Sequence, residues 1–467
     1  MVFANLTLTG RDYLPSSSVT SPNQQILPIT AQINSQDHLT IGGCDVIELV
    51  ERFGSPLYIL DEATLRLACS QYRDSFLRYY PGESQVIYAS KAWSSLAICS
   101  LVASEGLGFD VVSGGELYTT LIALEGMGLK EKADQLIYFH GNNKSSAELL
   151  SALDCNCTII VDNWWELKTL VELADKPVKI MLRLTPGIEC HTHEYIRTGS
   201  LDSKFGFNPS EFEDLFKQVR AHKNLKCVGL HAHIGSQIFE RQPHQDLAGV
   251  LVAALEQANK QGLTIEVLNL GGGLGIRYTE SDDPPSIIEW VKAISTALVS
   301  ACSQAGIPLP KLITEPGRSL IATACVTAYT VGSSKEIPGL RTYIAVDGGM
   351  SDNPRPITYQ ALYRVVLANK MSENARFKVT IAGKHCESGD ILIKDALLPK
   401  TTPGDILVVP ATGAYNSSMS SNYNRLPRPA AVLVNQGEVN LITQRETYAD
   451  LVKQDILPER LIHPTKQ

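Results

Sequence analysis

Apolar positions along the chain follow two rhythms. Between Gly54 and Gly317, short apolar or β-branched runs alternate with longer stretches of helical periodicity. The runs predict strands at Val86–Ala89, Phe109–Val112, Leu136–His140, Thr158–Val161, Val178–Leu184, Cys227–His233, Glu266–Leu270 and Lys311–Thr314. The periodic stretches predict helices that include Glu62–Tyr79, Ser94–Ser104, Glu116–Leu124, Trp164–Leu173, His244–Gln261 and Ser286–Ser303. About eight strands, each followed by a helical stretch over about 250 residues, have the size and rhythm of a (β/α)8 barrel. A doubly wound open sheet is the alternative. The barrel is preferred because unusual polar residues recur past the ends of many strands, whereas an open sheet gathers them at one switch point.

After Arg318 the rhythm changes. Short strand-like runs at Ala324–Thr330, Thr342–Val346, Lys378–Ala382, Ile406–Val409 and Ala430–Val434 are separated by Gly, Pro and Asp turns. This reads as a β-rich second domain. The expected organisation is a disordered leader over 1–25, a segment over 26–53 that packs with the β domain, a barrel over 54–320 and a β-rich domain over 321–467.

Composition narrows the class. With 44% hydrophobic residues the chain can bury a sizeable core without staples. A net charge of −8 with no basic block argues against nucleic-acid binding. No apolar run approaches the ~18 residues of a membrane span. Ten scattered cysteines show no zinc or redox spacing, and the first residues lack a secretory signal pattern. The expectation is a cytoplasmic protein with free thiols; the Ser/Thr-rich start leaves an organelle leader open.

Several polar constellations sit at the expected strand ends. Lys91, in Tyr88-Ala89-Ser90-Lys91-Ala92, follows a buried strand, where an amine is costly unless neutral, paired or covalently used; a solvated loop lysine is the plain alternative. Gly271-Gly272-Gly273 after the seventh strand suits close approach to a phosphate, or simply a tight turn. His231 and His233 share one strand face, with Ser236 nearby as a hydroxyl donor. No neighbouring carboxylate or cysteine completes a zinc shell, so no metal is expected. Glu315, in Glu315-Pro316-Gly317-Arg318, ends the eighth strand and needs a cationic or protonated partner, such as a cofactor's ring nitrogen; pairing with Arg318 is the alternative. In the β domain, Arg355, Tyr359, Cys386, Glu387 and Tyr415 lie in loops punctuated by Gly and Pro.

Together these segments, with His191-Thr192-His193-Glu194 and Ser203-Lys204-Phe205-Gly206, resemble the fold-type III pyridoxal-phosphate decarboxylases, and the diaminopimelate decarboxylases most closely. The resemblance spans roughly Leu57 to Tyr415. It implies a pyridoxal 5'-phosphate-binding, alanine-racemase-like TIM barrel with a C-terminal β-sandwich or β-barrel domain. It implies that Lys91 carries the cofactor covalently. Gly272, Gly273 and Ser236 would hold its phosphate, aided by backbone groups from Glu315 through Pro316 and Gly317 to Arg318. Glu315 would keep the pyridine nitrogen protonated, and His231 would pack on the ring face. Arg318, Arg355 and Tyr359 would grip the distal carboxylate of meso-diaminopimelate, Glu387 its distal ammonium, and Tyr415 would lie between cofactor and substrate. Cys386 and Glu387 would come from the partner subunit of a homodimer. Cys386 or Lys91 would return the proton after CO₂ leaves. An ornithine or arginine decarboxylase, or a non-catalytic regulator on the same scaffold, is the alternative reading.

Overall fold

The computed structural model describes residues 8–188 and 202–462; the His191–Glu194 anchor lies outside them. Eight parallel strands pair in chain order: β1 (Ser84–Ala89), β2 (Gly108–Val111), β3 (Ile137–Phe139), β4 (Thr158–Val161), β5 (Val178–Arg183), β6 (Leu225–His231), β7 (Val267–Asn269) and β8 (Lys311–Thr314). β8 closes on β1 with Leu312 opposite Ser84. The open-sheet alternative is thereby excluded.

The two-residue period of a strand explains the barrel's filling. Ile87, Tyr138, Ile160, Met181 and Ile313, from five different strands, form a small apolar cluster of their own. Their strand neighbours Tyr88, Phe139, Ile159, Leu182 and Leu312 belong instead to the main core. The first set fills the barrel; the second faces the outer helices.

The helices start where the sequence supplies caps. Asp61 accepts from Thr64 N at the start of Glu62–Tyr79, Asn163 from Glu166 N before Trp164–Leu173, and Ser286 forms a capping box with Glu289 before Ile287–Ala305. Gly306, in the left-handed region, ends the last of these.

The second sheet is mixed and mostly antiparallel. It runs Ile391–Leu398, Phe377–Ala382, Arg341–Val346, Cys325–Ile337, Leu57–Asp61, Ala430–Asn435, Glu438–Thr443, with Ile406–Val409 and Val366–Leu367 branching from Cys325–Ile337. Leu57–Asp61 therefore belongs to the β domain rather than to the barrel. It is buried throughout and lies between Cys325–Ile337 (antiparallel) and Ala430–Asn435 (parallel). Leu27, Leu39, Ile41, Val46 and Leu49 pack on this sheet with Ile59, Val326 and Val432.

The expected disordered leader is corrected for residues 8–25. Ser21 and Asn23 are buried. Asn23 Nδ2 donates to Gly275 O (3.1 Å) and Pro285 O (2.9 Å), and Ser21 Oγ accepts from Ile287 N (3.1 Å). The polar composition that suggests disorder serves to satisfy backbone groups around the barrel rim. Among the described residues no helix is long and apolar enough to cross a membrane.

Candidate active site

Two residues above the apolar layer, the inward positions turn polar on strand after strand. Gly108 leads to Asp110, Tyr138 to His140, Ile160 to Asp162, Met181 to Arg183, Gly229 to His231, Val267 to Asn269 and Ile313 to Glu315. All seven polar side chains are buried. Five of them, Asp110, His140, Arg183, His231 and Glu315, floor a cavity of about 720 Å3 at the C-terminal mouth of the barrel. Lys91, two residues beyond Ala89 of β1, reaches this cavity from above and is exposed to it.

Glu315 is the best-held group. Asn269 Nδ2 donates to its Oε1 (2.6 Å), His140 Nε2 lies 2.9 Å from the same oxygen, and His231 Nε2 lies 3.2 Å from Oε2. Burial alone would raise its pKa, but the pull and hydrogen bonds of His140 and His231 hold it well below the usual carboxylate range. Burial pushes His231 down to about 4, so near neutrality its ring is uncharged. An ionised carboxylate only accepts, so Nε2 carries the His231 proton. Buried Lys144 donates to Gly141 O (2.9 Å), Ile160 O (2.8 Å) and Glu166 Oε1 (2.7 Å), fixing the loop that follows His140. Glu315 and Arg318 do not pair with each other. The ligand atoms of His140, His231 and Glu315 lie within 4.8 Å of one another, and mutual contacts account for that grouping.

β6 stops at His231, so His233 leaves the shared strand face. His233 Nδ1 accepts from Gly272 N (3.2 Å) and its ring borders the cavity beside Lys91. A side pocket of about 40 Å3 opens there, between Ser236, Gly273, Gly317 and Arg318. Only glycine fits at Gly273 in its wall and at Gly272 beside it. A Cβ on Gly272 would lie 2.2 Å from Glu315 O; one on Gly273 would lie 2.7 Å from Gly235 O, with φ at +121°. Pro316 O accepts from Ala89 N (3.2 Å), tying this turn to the strand before Lys91.

Arg318 joins the side pocket to the main cavity. Its Nε and Nη2 donate to Ser236 Oγ (3.3 and 3.0 Å) and its Nη1 to Tyr278 Oη (2.6 Å). Tyr415, at φ +72°, stacks on its guanidinium at 5.0 Å. Arg355 Nη1 donates to Tyr278 (2.9 Å) and Tyr363 (2.6 Å). Tyr359 is half-buried on the same wall.

Cys386 and Glu387 are not brought to this cavity. Both are exposed. Their loop is nonetheless firmly held. Buried Asp390 accepts from His385 N (3.0 Å) and Met350 N (2.7 Å), His385 Nδ1 lies 2.6 Å from it, and Cys386 N donates to Asn424 Oδ1 (2.9 Å).

The pyridoxal-binding domain of the pyridoxal-dependent decarboxylases matches residues 63–322. A diaminopimelate decarboxylase of Synechocystis is 64% identical over 98% of both chains, and that of Bacillus subtilis is 46% identical over 91% of this chain and 97% of the relative. The chain belongs to the diaminopimelate decarboxylase family. Among solved structures, the M. jannaschii diaminopimelate decarboxylase in complex with L-lysine superposes with a TM-score of 0.86 at 34% identity, covering 94% of this chain and all of that one. The Helicobacter pylori enzyme with L-lysine gives 0.79 at 30% identity, covering 87% and 98%.

The family's cofactor can be tested against the donor set. An ionised carboxylate offers about four acceptor positions; Asn269 and His231 take two on Glu315 by hydrogen bonds, and His140 Nε2 crowds a third at 2.9 Å. Glu315 also lines the cavity, so acceptor capacity is left for a protonated ring nitrogen. The glycine-walled side pocket beside Lys91 suits a phosphate. These residues fit pyridoxal phosphate. Motif reading missed Asp110, His140, Arg183, Asn269 and Tyr278. The signal for the first four is the polar residue two places past an inward apolar one.

Proposed function

We propose that this chain is a pyridoxal-phosphate enzyme that decarboxylates meso-2,6-diaminopimelate to L-lysine and CO₂. The observation that carries the reading is one cavity holding Lys91, the ionised Glu315 and two buried guanidiniums, Arg318 and Arg355. When bound, the cofactor supplies an electron sink for the pair left behind as CO₂ departs.

Lys91 would hold the cofactor through its amine and give way to the substrate amine. Gly272, Gly273, Ser236 and the Pro316–Gly317 turn would receive the phosphate. Glu315 would keep a proton on the ring nitrogen, and its neighbours keep Glu315 itself charged. The ring-face position falls to His233 rather than His231, because His231 is committed to Glu315 while His233 borders the cavity at the glycine loop. Arg318, Arg355 and Tyr359 would take the distal carboxylate, and Tyr415 would close over the cofactor. The partner subunit's Cys386 and Glu387 would complete the site of a homodimer, Glu387 receiving the distal ammonium. A hydrogen-bonded loop whose reactive side chains are exposed and do not line its own cavity supports this.

The test is product analysis with meso-diaminopimelate and added pyridoxal phosphate. Equal amounts of CO₂ and L-lysine are expected, and Lys91→Ala should abolish both. Turnover that survives in Lys91→Ala, or CO₂ without L-lysine, contradicts the proposal.

A further inference from the structure

Arg318 and Arg355 are both buried, and among the described residues neither forms an ion pair with a carboxylate. Two like charges are instead gathered on one neutral oxygen. Tyr278 Oη accepts from Arg318 Nη1 at 2.6 Å and from Arg355 Nη1 at 2.9 Å. The guanidiniums also lie 5.8 and 5.0 Å from the centre of its ring. Tyr278 is buried and lines the cavity. Its backbone is fixed, since Asp282 Oδ2 accepts from Tyr278 N (3.0 Å) and Thr279 N (2.8 Å).

A phenol has two lone pairs and one proton. The two guanidiniums occupy both lone pairs, so the hydroxyl can act further only as a donor. Cationic neighbours make it a stronger one: they pull Tyr278 below its ordinary pKa although burial opposes them. The adjacent Tyr363 differs. It accepts from Arg355 (2.6 Å) and spends its own proton on Asn416 Oδ1 (3.4 Å). Tyr278 therefore presents a donor between two unpaired cations, an arrangement that calls for an anion.

We propose that Tyr278 completes the distal-carboxylate clamp: its oxygen tethers Arg318 and Arg355, and its O–H donates to the carboxylate between them. This rests on the diaminopimelate reading. A substrate lacking that carboxylate leaves three buried donors unanswered, which makes Tyr278 a specificity residue as well as a positioning one.

The test is Tyr278→Phe in the holoenzyme, with three ligands. The KM for meso-diaminopimelate should rise about tenfold to a hundredfold, the loss in kcat/KM falling mainly on KM. L-lysine keeps the distal carboxylate, so its affinity by calorimetry should fall by a similar factor. 1,5-Diaminopentane keeps the chain and amines without a carboxylate, and should inhibit both proteins equally. Unchanged affinity for L-lysine overturns the proposal. Equal weakening of L-lysine and the diamine also overturns it, because general damage to the cavity then suffices. Should Tyr278→Phe not fold, Tyr278→Gln, which keeps an oxygen acceptor, is measured the same way. Wild-type enzyme that binds L-lysine but does not turn over meso-diaminopimelate overturns the substrate reading instead, and the L-lysine arm still judges Tyr278.

Discussion

Glu315 illustrates how a single residue's chemistry is set by its neighbours. Buried alone it would take up a proton; with Asn269, His140 and His231 around it, it stays charged. Glu315→Gln keeps the shape and removes the charge. Its kcat should fall about a hundredfold or more, with a smaller change in KM; unchanged kcat in a folded variant contradicts the role. The buried histidines set an acid limit. His231 is pushed down to about 4 and His244 to about 3, both by burial. Below the ordinary histidine value of 6.5 the unfolded chain binds protons that the folded chain refuses, so stability falls as pH drops from 6.5 toward 4. His244 packs edge-on to Trp290 at 5.2 Å, and among the described residues neither ring nitrogen has a hydrogen-bond partner. His244→Phe should therefore gain about 2 kcal/mol over wild type near pH 5 and little near pH 7.5, by denaturant melts. At this scale Lys91, Glu315 and Arg318 were legible from motifs. We propose the ring-face role for His233 rather than for His231, where the resemblance puts it, because the strand ends at His231, two residues before the sequence pattern suggests, and the alternation rule stops with it.

Among elements, the barrel strands were the easiest to read, since each is a short apolar run between turn residues and packs on both sides. Leu57–Asp61 has the same apolar signature, and nothing local distinguishes a strand of the second sheet from one of the barrel; its partners lie more than 250 residues away, at Cys325–Ile337 and Ala430–Asn435. In the proposed dimeric site, the second half depends on the loop from His385 to Asp390. Asp390 holds two backbone amides and the His385 ring. Asp390→Ala leaves those donors unpaired and should loosen the loop. The expected result is at least a tenfold loss of kcat/KM with cofactor absorbance retained. Loss of cofactor binding as well would show that the loop supports the barrel itself.

For the whole molecule, we propose that the barrel holds the cofactor and that the exposed Cys386 and Glu387 of the β domain serve a second copy. That sharing predicts complementation. Lys91→Ala and Cys386→Ala should each be inactive alone. Mixed after dissociation and reassociation, they should recover about a quarter of wild-type activity, because half the dimers are hybrid and each hybrid has one intact site. No recovery would place Cys386 outside the shared site. Substrate choice is the other property of the whole, since the distal clamp draws on the glycine-loop side of the barrel, the turn after β8 and the β domain together. The most direct measurement is kcat/KM for meso-diaminopimelate against L-ornithine on the same holoenzyme. A preference of about 10⁴ or more for meso-diaminopimelate is predicted, because ornithine leaves Arg318 and Arg355 without their anion. Comparable values, or a preference for ornithine, would contradict the assignment of those two arginines and the function built on them.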